Sequence, residues 1–302
     1  MSLGRFAPSP TGVLHVGNLR TAVVAWLAAV STGGRMLVRV EDLDRANSSR
    51  ENEIRQLADL RRIGLTFPDE IRRQSDRFPS YDSVIADLSA RGLTYRCFCT
   101  RKEIREAASA PNGPMAEGAY PGTCRHLSER EIDERLDEGR PYAVRLRTDG
   151  ESYTFDDRIL GPVTGIVDDF VLRRNDGVPA YNLAVVVDDA EQGVDQIVRG
   201  DDLALSTPRH LHLQKILGHH PPEYAHVPLV LGGDGERLAK RHGSVTLDDL
   251  AARDEDDRSI VAVLLASLGL PPDLVAARHE FDWARITRKP WTIPERWQTR
   301  TS

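Results

Sequence analysis

The stretch that decides the fold is RFAPSPTGVLHVGNLRTAVVAWL, residues 5–27. It begins with a short strand-like segment, passes through a turn rich in proline and glycine, and reaches His15 and Gly17. Apolar residues then recur at the spacing of one helix face, at Leu19, Ala22, Val23, Trp26, Leu27 and Val30. The stretch therefore predicts strand, turn and helix, with His15 and Gly17 at the helix N-terminus.

The rest of the chain continues this alternation. Strands are predicted at Met36–Val40, Leu183–Val187, Asp195–Arg199 and VPLVLG, residues 227–232. Helices are predicted at 50–63, at Ser206–Leu217 and over most of the tail from Leu247. Strands and helices in alternation indicate an α/β domain with a parallel sheet.

Composition narrows the class of protein. The net charge of −6 over 302 residues argues against a wholly basic nucleic-acid binder, although a local basic strip stays compatible with it. The three cysteines are an odd number and fit a reducing compartment better than a disulfide framework. The N-terminus has no apolar leader, and no apolar run approaches 18 residues. We therefore expect a cytoplasmic protein without membrane contact.

A second motif, GERLAKRHG at residues 235–243, is rich in glycine and cations. Cationic loops of this kind stabilise charge that builds up on leaving phosphates. The N-terminus of the helix at His15 suits an anion as well, because its N–H groups and dipole favour negative charge. Each motif alone also fits an ordinary exposed turn or solvated basic loop, so the functional interpretation depends on the pair.

Together the two motifs resemble the class I aminoacyl-tRNA synthetases. His15–Asn18 resembles the HIGH signature, and Arg237–Arg241 resembles the KMSKS loop, with Arg237 and Ala239 in place of its first lysine and its serine. Five segments look, in order, like the glutamyl branch: RFAPSPTGVLHVGNLRTA, RVEDLDR, DGVPAYNLAVVVDD, IVRGDDL and RLAKRHG. The resemblance implies an α/β fold, a Rossmann-like class I catalytic domain with a zinc-bearing α+β insertion and a C-terminal helical region.

Full glutamyl-tRNA synthetases continue into a helical anticodon-binding region, whereas this chain ends at Ser302. In this it resembles the glutamyl-Q tRNA(Asp) synthetases. The resemblance implies activation of L-glutamate by ATP and Mg²⁺ without tRNA, followed by transfer to the queuosine base of tRNA(Asp). The alternatives are a truncated synthetase that charges tRNA(Glu) and a non-catalytic tRNA-binding module, which the altered residue Ala239 keeps open. We expect a monomer.

The resemblance also implies roles for individual residues. The glutamate-binding set is Arg5, Phe6, Ala7, Pro8, Ser9, Glu41, Tyr181 and Arg199. The ATP-binding set is His15, Gly17, Asn18, Arg237 and Lys240, of which His15 and Lys240 are catalytic. Arginine suits the side-chain carboxylate of glutamate through a bidentate fork, and Glu41 suits the α-ammonium. Out of context, Glu41 and Arg199 are equally compatible with a structural ion pair.

Three cysteines, Cys97, Cys99 and Cys124, provide soft ligands where a structural zinc ion needs four. The resemblance implies Tyr120 as the fourth ligand. Ligand chemistry alone favours His126, from the Cys-Arg-His sequence. Three free thiols without metal are the remaining alternative. We expect one structural Zn²⁺ in the insertion.

The expected domain boundaries follow these motifs. Residues 1–75 and 179–240 are expected to form the two halves of the catalytic domain, 76–178 the insertion and 241–302 the helical region. The final segment, 288–302, mixes aromatic and basic residues and is expected to pack on the body, although such residues also stack on exposed bases.

Overall fold

A computed structural model describes residues 1–108, 120–238 and 245–298. The strands are β1 Leu3–Phe6, β2 Arg35–Val40, β3 Arg72–Arg73, β4 Thr94–Cys97, β5 Ala143–Leu146, β6 Ser152–Asp157, β7 Gly161–Ile166, β8 Val171–Arg173, β9 Gln196–Gly200, β10 Glu223–Val227, β11 Val230–Leu231 and β12 Trp291–Thr292. The helices are α1 Val16–Ser31, α2 Arg50–Arg62, α3 Phe78–Ala90, α4 Arg101–Ala108, α5 Glu129–Asp137, α6 Tyr181–Gln192, α7 Thr207–Leu217, α8 Leu247–Ala251, α9 Asp257–Ser267 and α10 Leu274–His279.

The central sheet is parallel, in the order β10-β9-β1-β2-β3. Strand β1 lies in the middle, where Arg5 pairs with Leu37 on one side and with Ile197 on the other. Because the strands are parallel, their carboxyl ends meet at one edge, which is where open α/β sheets bind ligands. The predicted parallel α/β sheet is confirmed.

Helix α1 follows β1 as predicted and is buried along nearly its whole length. One side packs on β1, β2 and β9, and other contacts come from α9 and α10. The C-terminal helices therefore share one apolar core with the sheet. This packing fixes the N-terminus of α1, at His15, next to the ends of the strands.

One prediction from a short apolar run was wrong, and a second was right only in part. Leu183–Val187 is the buried centre of helix α6, not a strand, and Gly193 ends that helix in the left-handed conformation with φ 68°. A short run that is buried on all sides has the same apolar pattern in a strand and in a helix, so its periodicity does not distinguish the two. The VPLVLG run spans the end of β10, Pro228 and the short β11.

The described part of the insertion contains two small β-sheets that are separate from the central sheet. Strands β4, β5 and β8 form an antiparallel sheet beside α4 and α5, and β6 and β7 form a hairpin.

The described part of the final segment packs on the body, as predicted, because Trp297 is fully buried and β12 pairs with β11. Across the described ranges no helix is both long and apolar enough to cross a membrane.

Candidate active site

A cavity of about 580 Å³ opens at the carboxyl ends of β1, β2, β9 and β10. Every residue of the two predicted binding sets that the structure describes lines it: Arg5, Phe6, Ala7, Pro8, Ser9, His15, Gly17, Asn18, Glu41, Tyr181, Arg199 and Arg237. These residues come from segments far apart in the sequence, so the fold brings the two predicted sets into one site. The predicted catalytic Lys240 lies outside the described residues.

His15 caps helix α1 with its own ring. Its Nδ1 accepts hydrogen bonds from the amides of Gly17, at 3.0 Å, and Asn18, at 3.4 Å, so the neutral ring carries its proton on Nε2. Burial, and then the charge of Arg237, lower the pKa of His15. A Cβ at Gly17 would lie 2.9 Å from His15 Cε1, so this arrangement needs glycine there. His15 is thus a neutral hydrogen-bond donor that lines the cavity.

The first-turn amides of α1 already have acceptors in the protein. Gly17 and Asn18 donate to His15, and the amide of Val16 donates to the carbonyl of Val245 at 2.9 Å. The expectation that free amides near Gly17 hold phosphate therefore does not fit this conformation. What remains for an anion here is His15 Nε2–H and the helix dipole.

The described residues of the second motif and those that follow it lie close to the first motif, at the start of α1. Leu238 donates through its amide to the Val230 carbonyl at 2.9 Å, and Val245 accepts from Val16 at the start of α1. Arg237 forms an ion pair of 2.8 Å with Asp202 and lines the cavity. Leu238, which lines the cavity, and Val245, which contacts the start of α1, are the described residues that flank 239–244.

A buried ion network supports one wall of the cavity. Asp189, on α6, accepts hydrogen bonds through one oxygen from Arg39 at 2.6 Å and from Arg5 at 3.3 Å. Arg39 also contacts Glu41 at 3.3 Å. Burial raises the pKa of Asp189, but Arg39 and Arg5 outweigh that effect and hold it below its ordinary value. For Glu41 burial dominates, and its pKa is raised despite Arg39.

Arg199 lies in a cage of uncharged partners. It donates to Tyr181 Oη (3.2 Å), His210 Nδ1 (3.2 Å), His226 Nε2 (3.1 Å), Thr207 Oγ1 (2.8 Å) and the Leu203 carbonyl (3.3 Å). Within the part of the chain that the structure describes, no carboxylate lies within 4.0 Å of its guanidinium. The structural ion pair considered for Arg199 is thus absent there, and its charge is available to an anionic ligand.

Two histidines orient Arg199, and the sequence analysis missed both. His226 donates from Nδ1 to Asp157 at 2.6 Å, which leaves Nε2 free to accept from Arg199. His210 donates from Nε2 to Asn182 Oδ1 at 2.9 Å and accepts through Nδ1. Burial and the charge of Arg199 lower the pKa of both rings, although Asp157 offsets part of the effect at His226. No motif marks these histidines, since only the fold brings β10 and α7 together.

The three cysteines form a cluster in the insertion. The Sγ atoms of Cys97, Cys99 and Cys124 all lie within 4.8 Å of one another. The Tyr120 hydroxyl lies 3.3 Å from Cys97 Sγ and 3.6 Å from Cys99 Sγ, whereas His126 is exposed and outside the cluster. Three soft donors and a buried hydroxyl converging on one point fit a tetrahedral metal ion.

Within this cluster negative charge is favoured on Cys97. A hydrogen bond with Cys124 lowers the pKa of Cys97 to about 4, although burial opposes it, and the same contact together with burial raises the pKa of Cys124. The guanidinium of Arg145 lies 3.7 Å from the centre of the Tyr120 ring and adds a positive charge beside the sulfur atoms. Thiolates are the form in which cysteine binds metals, so the cluster is chemically prepared for a cation.

This fold and cavity define a class of enzyme. The family described as tRNA synthetases class I (E and Q), catalytic domain, matches residues 3–288. The structure of a glutamate tRNA ligase from Elizabethkingia meningosepticum, solved with its amino acid, is similar with a TM-score of 0.79 at 28% identity, over 98% of this chain and 68% of that one. The predicted fold class and the predicted class I synthetase-like ligase are confirmed.

More similar relatives narrow the class further. A glutamyl-Q tRNA(Asp) synthetase from Nocardia farcinica is 54% identical over 97% of this chain and 93% of its own length. One from Cutibacterium acnes is 50% identical over 92% of this chain and 78% of its own length. The chain belongs to the glutamyl-Q tRNA(Asp) synthetase family.

Proposed function

We propose that this enzyme activates L-glutamate with ATP in the absence of tRNA and then transfers the glutamyl group to the queuosine base at the wobble position of tRNA(Asp). The observation that carries the proposal is the cavity itself. It combines the uncompensated guanidinium of Arg199, the carboxyl group of Glu41 and the capping histidine His15. These are complementary to a side-chain carboxylate, an ammonium and a phosphate.

Glutamate recognition is divided between charges of opposite sign. Arg199 binds the side-chain carboxylate, because its five N–H groups donate to neutral partners and a carboxylate that replaces some of these partners forms charge-assisted hydrogen bonds. Arg5 shares its charge with Asp189 and therefore contributes less. Glu41 binds the α-ammonium, which favours its ionised form against the effect of burial. Tyr181 lines the pocket beside Arg199.

ATP lies on the side of the cavity where α1 begins. A carboxylate oxygen of glutamate attacks the α-phosphorus, and the bond to the pyrophosphate oxygen breaks. His15 donates from Nε2 to a phosphate oxygen, and Asn18 and Arg237 line the same side. Lys240 neutralises the β- and γ-phosphates, and Mg²⁺ would share this role when bound. Ala239 offers no hydroxyl to a phosphate, so Lys240 and Arg237 are proposed to make the phosphate contacts of this loop.

The acceptor is the point at which the two synthetase types differ. The relative from Nocardia farcinica, 54% identical, supports tRNA(Asp) as the acceptor over tRNA(Glu), since the ligase of known structure is only 28% identical. Cys97, Cys99, Tyr120 and Cys124 are proposed to hold one structural Zn²⁺, which when bound would cross-link the insertion. A cytoplasmic location and a monomeric state stay predictions.

Glutamate-dependent exchange between ATP and pyrophosphate tests the activation step. With no tRNA present, we expect labelled pyrophosphate to enter ATP only when L-glutamate is added, and neither L-glutamine nor L-aspartate to replace it. Exchange that requires tRNA(Glu) would favour the truncated glutamyl-tRNA synthetase. A complete lack of exchange would favour the non-catalytic module.

A further inference from the structure

A second cavity of about 720 Å³ adjoins the first. The two share four wall residues, Ser9, Thr11, Glu41 and Tyr181. Three of these, Ser9, Glu41 and Tyr181, belong to the proposed glutamate-binding set, whereas none of the residues at the N-terminus of α1 lines the second cavity. It therefore meets the amino-acid side of the active site and not the phosphate side.

The walls of this cavity suit a substituted nucleobase. Its lining includes the apolar residues Leu43 and Val171 and the polar residues Asp44, Asn175, Arg101, Arg145 and Arg174. The volume lies within the range of ordinary small-molecule sites, which enclose apolar surface and carry a few placed polar groups. The cavity is thus the size of a base with a side chain, and it offers both signs of charge.

Two side chains of the cavity have unused acceptor capacity. Gln74 is fully buried and donates from Nε2 to Asp188 at 3.1 Å, but its Oε1 has no hydrogen-bond partner among the described residues. Asp44 accepts one hydrogen bond from Asn47 at 2.7 Å through Oδ2. That bond, together with backbone amides, keeps the pKa of Asp44 below its ordinary value. A ligand with a cationic amine and further donors would match these acceptors.

We propose that the second cavity is the acceptor subsite, where the modified tRNA base binds with its side-chain amine against Asp44 and a donor towards Gln74. This inference rests on the proposed function. Queuosine carries a secondary amine, cationic at neutral pH, and a ring diol. A hydroxyl oxygen of the diol attacks the glutamyl carbonyl carbon where the two cavities meet, beside Glu41 and Tyr181. The ester C–O bond forms, the bond to the AMP oxygen breaks, and the hydroxyl proton leaves with the phosphate.

The Asp44→Asn variant tests this subsite through two forms of one tRNA. Dissociation constants are measured at fixed salt for tRNA(Asp) with queuosine and for unmodified tRNA(Asp), because backbone contacts depend on salt. Losing one charge-assisted hydrogen bond should weaken binding of the queuosine form about tenfold. Binding of the unmodified form should not change, and tRNA-free pyrophosphate exchange should stay at the wild-type rate, which also shows that the variant folds.

Asp69→Asn is the matched control, because Asp69 is exposed, pairs with Arg61 and, among the described residues, lines neither cavity. It should leave both dissociation constants unchanged. Equal weakening of both tRNA forms by Asp44→Asn, or no weakening of either, would overturn the subsite. Absence of exchange in the wild-type enzyme would instead overturn the proposed function, so the two failures are distinguishable.

Discussion

Asp189 holds Arg5 and Arg39 with a single carboxylate oxygen, at 3.3 and 2.6 Å, in a fully buried position. Arg39 extends the network to Glu41. One side chain on α6 thus positions both an arginine and, through Arg39, a carboxylate that line the candidate active site. The network around Asp189 thus supports Glu41, which is proposed to bind the ammonium of glutamate, although Asp189 itself does not line that cavity.

Replacing Asp189 by asparagine should destabilise the protein. The substitution keeps the shape but leaves Arg5 and Arg39 buried without their shared counter-charge, which typically costs about 3–5 kcal/mol. The free energy of unfolding in urea measures this cost. Asp69→Asn, which breaks an exposed ion pair, should cost less than about 1 kcal/mol. Equal effects of the two substitutions would mean that the buried network contributes nothing particular.

Replacing Arg199 by lysine should raise the KM for glutamate on the order of 100-fold in pyrophosphate exchange, with less effect on the KM for ATP. Lysine keeps the charge but cannot supply the fork that donates to Tyr181, Thr207 and a ligand carboxylate. Arg158→Lys is the control, since Arg158 is half-exposed and pairs with Glu223 outside the cavity. A KM for glutamate within a factor of two or so of the wild-type value would exclude Arg199 as the carboxylate partner.

Stability should fall as the pH drops below 6.5, the ordinary pKa of histidine. Burial lowers the pKa of His210 and His226 in the folded state, so the unfolded chain takes up protons that the folded chain does not. Each buried histidine then contributes stability above pH 6.5 that is lost below it, by up to about 1.4 kcal/mol per pH unit.

The variant His210→Gln isolates this contribution. Between pH 6.5 and 5.5 its free energy of unfolding should fall less steeply than that of the wild type, by roughly 1 kcal/mol per pH unit. His279→Gln, at an exposed position on α10, should keep the wild-type slope. If all three proteins have the same slope, His210 is not held neutral in the folded state.

Two substitutions test whether Tyr120 or His126 is the fourth zinc ligand. Tyr120→Phe should weaken zinc binding on the order of 100-fold, as measured by competition with a chromogenic chelator, because the hydroxyl lies among the thiols. His126→Ala should leave zinc affinity unchanged, since His126 is exposed. The reverse pattern would make His126 the ligand, and a wild-type protein that binds no zinc would rule out the metal site.

Replacing Lys240 by alanine should depress pyrophosphate exchange far more than it weakens glutamate binding. A cation that acts on the leaving phosphates contributes in the transition state and little to binding of the amino acid. Single-turnover rates and glutamate affinity, measured by equilibrium dialysis, separate the two effects. Equal losses would mean that Lys240 does not act in the transition state.

Local sequence signals predicted the parts of the fold that local physics decides. Helix α1 is a mostly apolar stretch of 16 residues, too long for an ordinary strand, and β1, β2 and β9 are short runs followed by polar residues or turns. The run at Leu183–Val187 gave no such signal, since burial on every side removes the periodicity that separates helix from strand.

The same distinction between local and tertiary information applies to the residues of the candidate active site. The residues within motifs, such as Arg5, His15 and Arg199, were named from the sequence and line one cavity. The residues that support them were not predicted from the sequence. Asp157 and His226, for example, belong to a hairpin and a strand that meet only in the folded chain. The network around Asp189 is likewise a product of tertiary packing, which no spacing along the sequence encodes.

The most direct test of the central claim is transfer of labelled glutamate to purified tRNAs. The wild-type enzyme, ATP and L-glutamate are incubated with queuosine-containing tRNA(Asp), unmodified tRNA(Asp) or tRNA(Glu). We predict that label enters only the queuosine-containing tRNA(Asp) and that it remains after the 3′ end of the tRNA is removed. Label attached to the 3′ end of tRNA(Glu) would contradict the account.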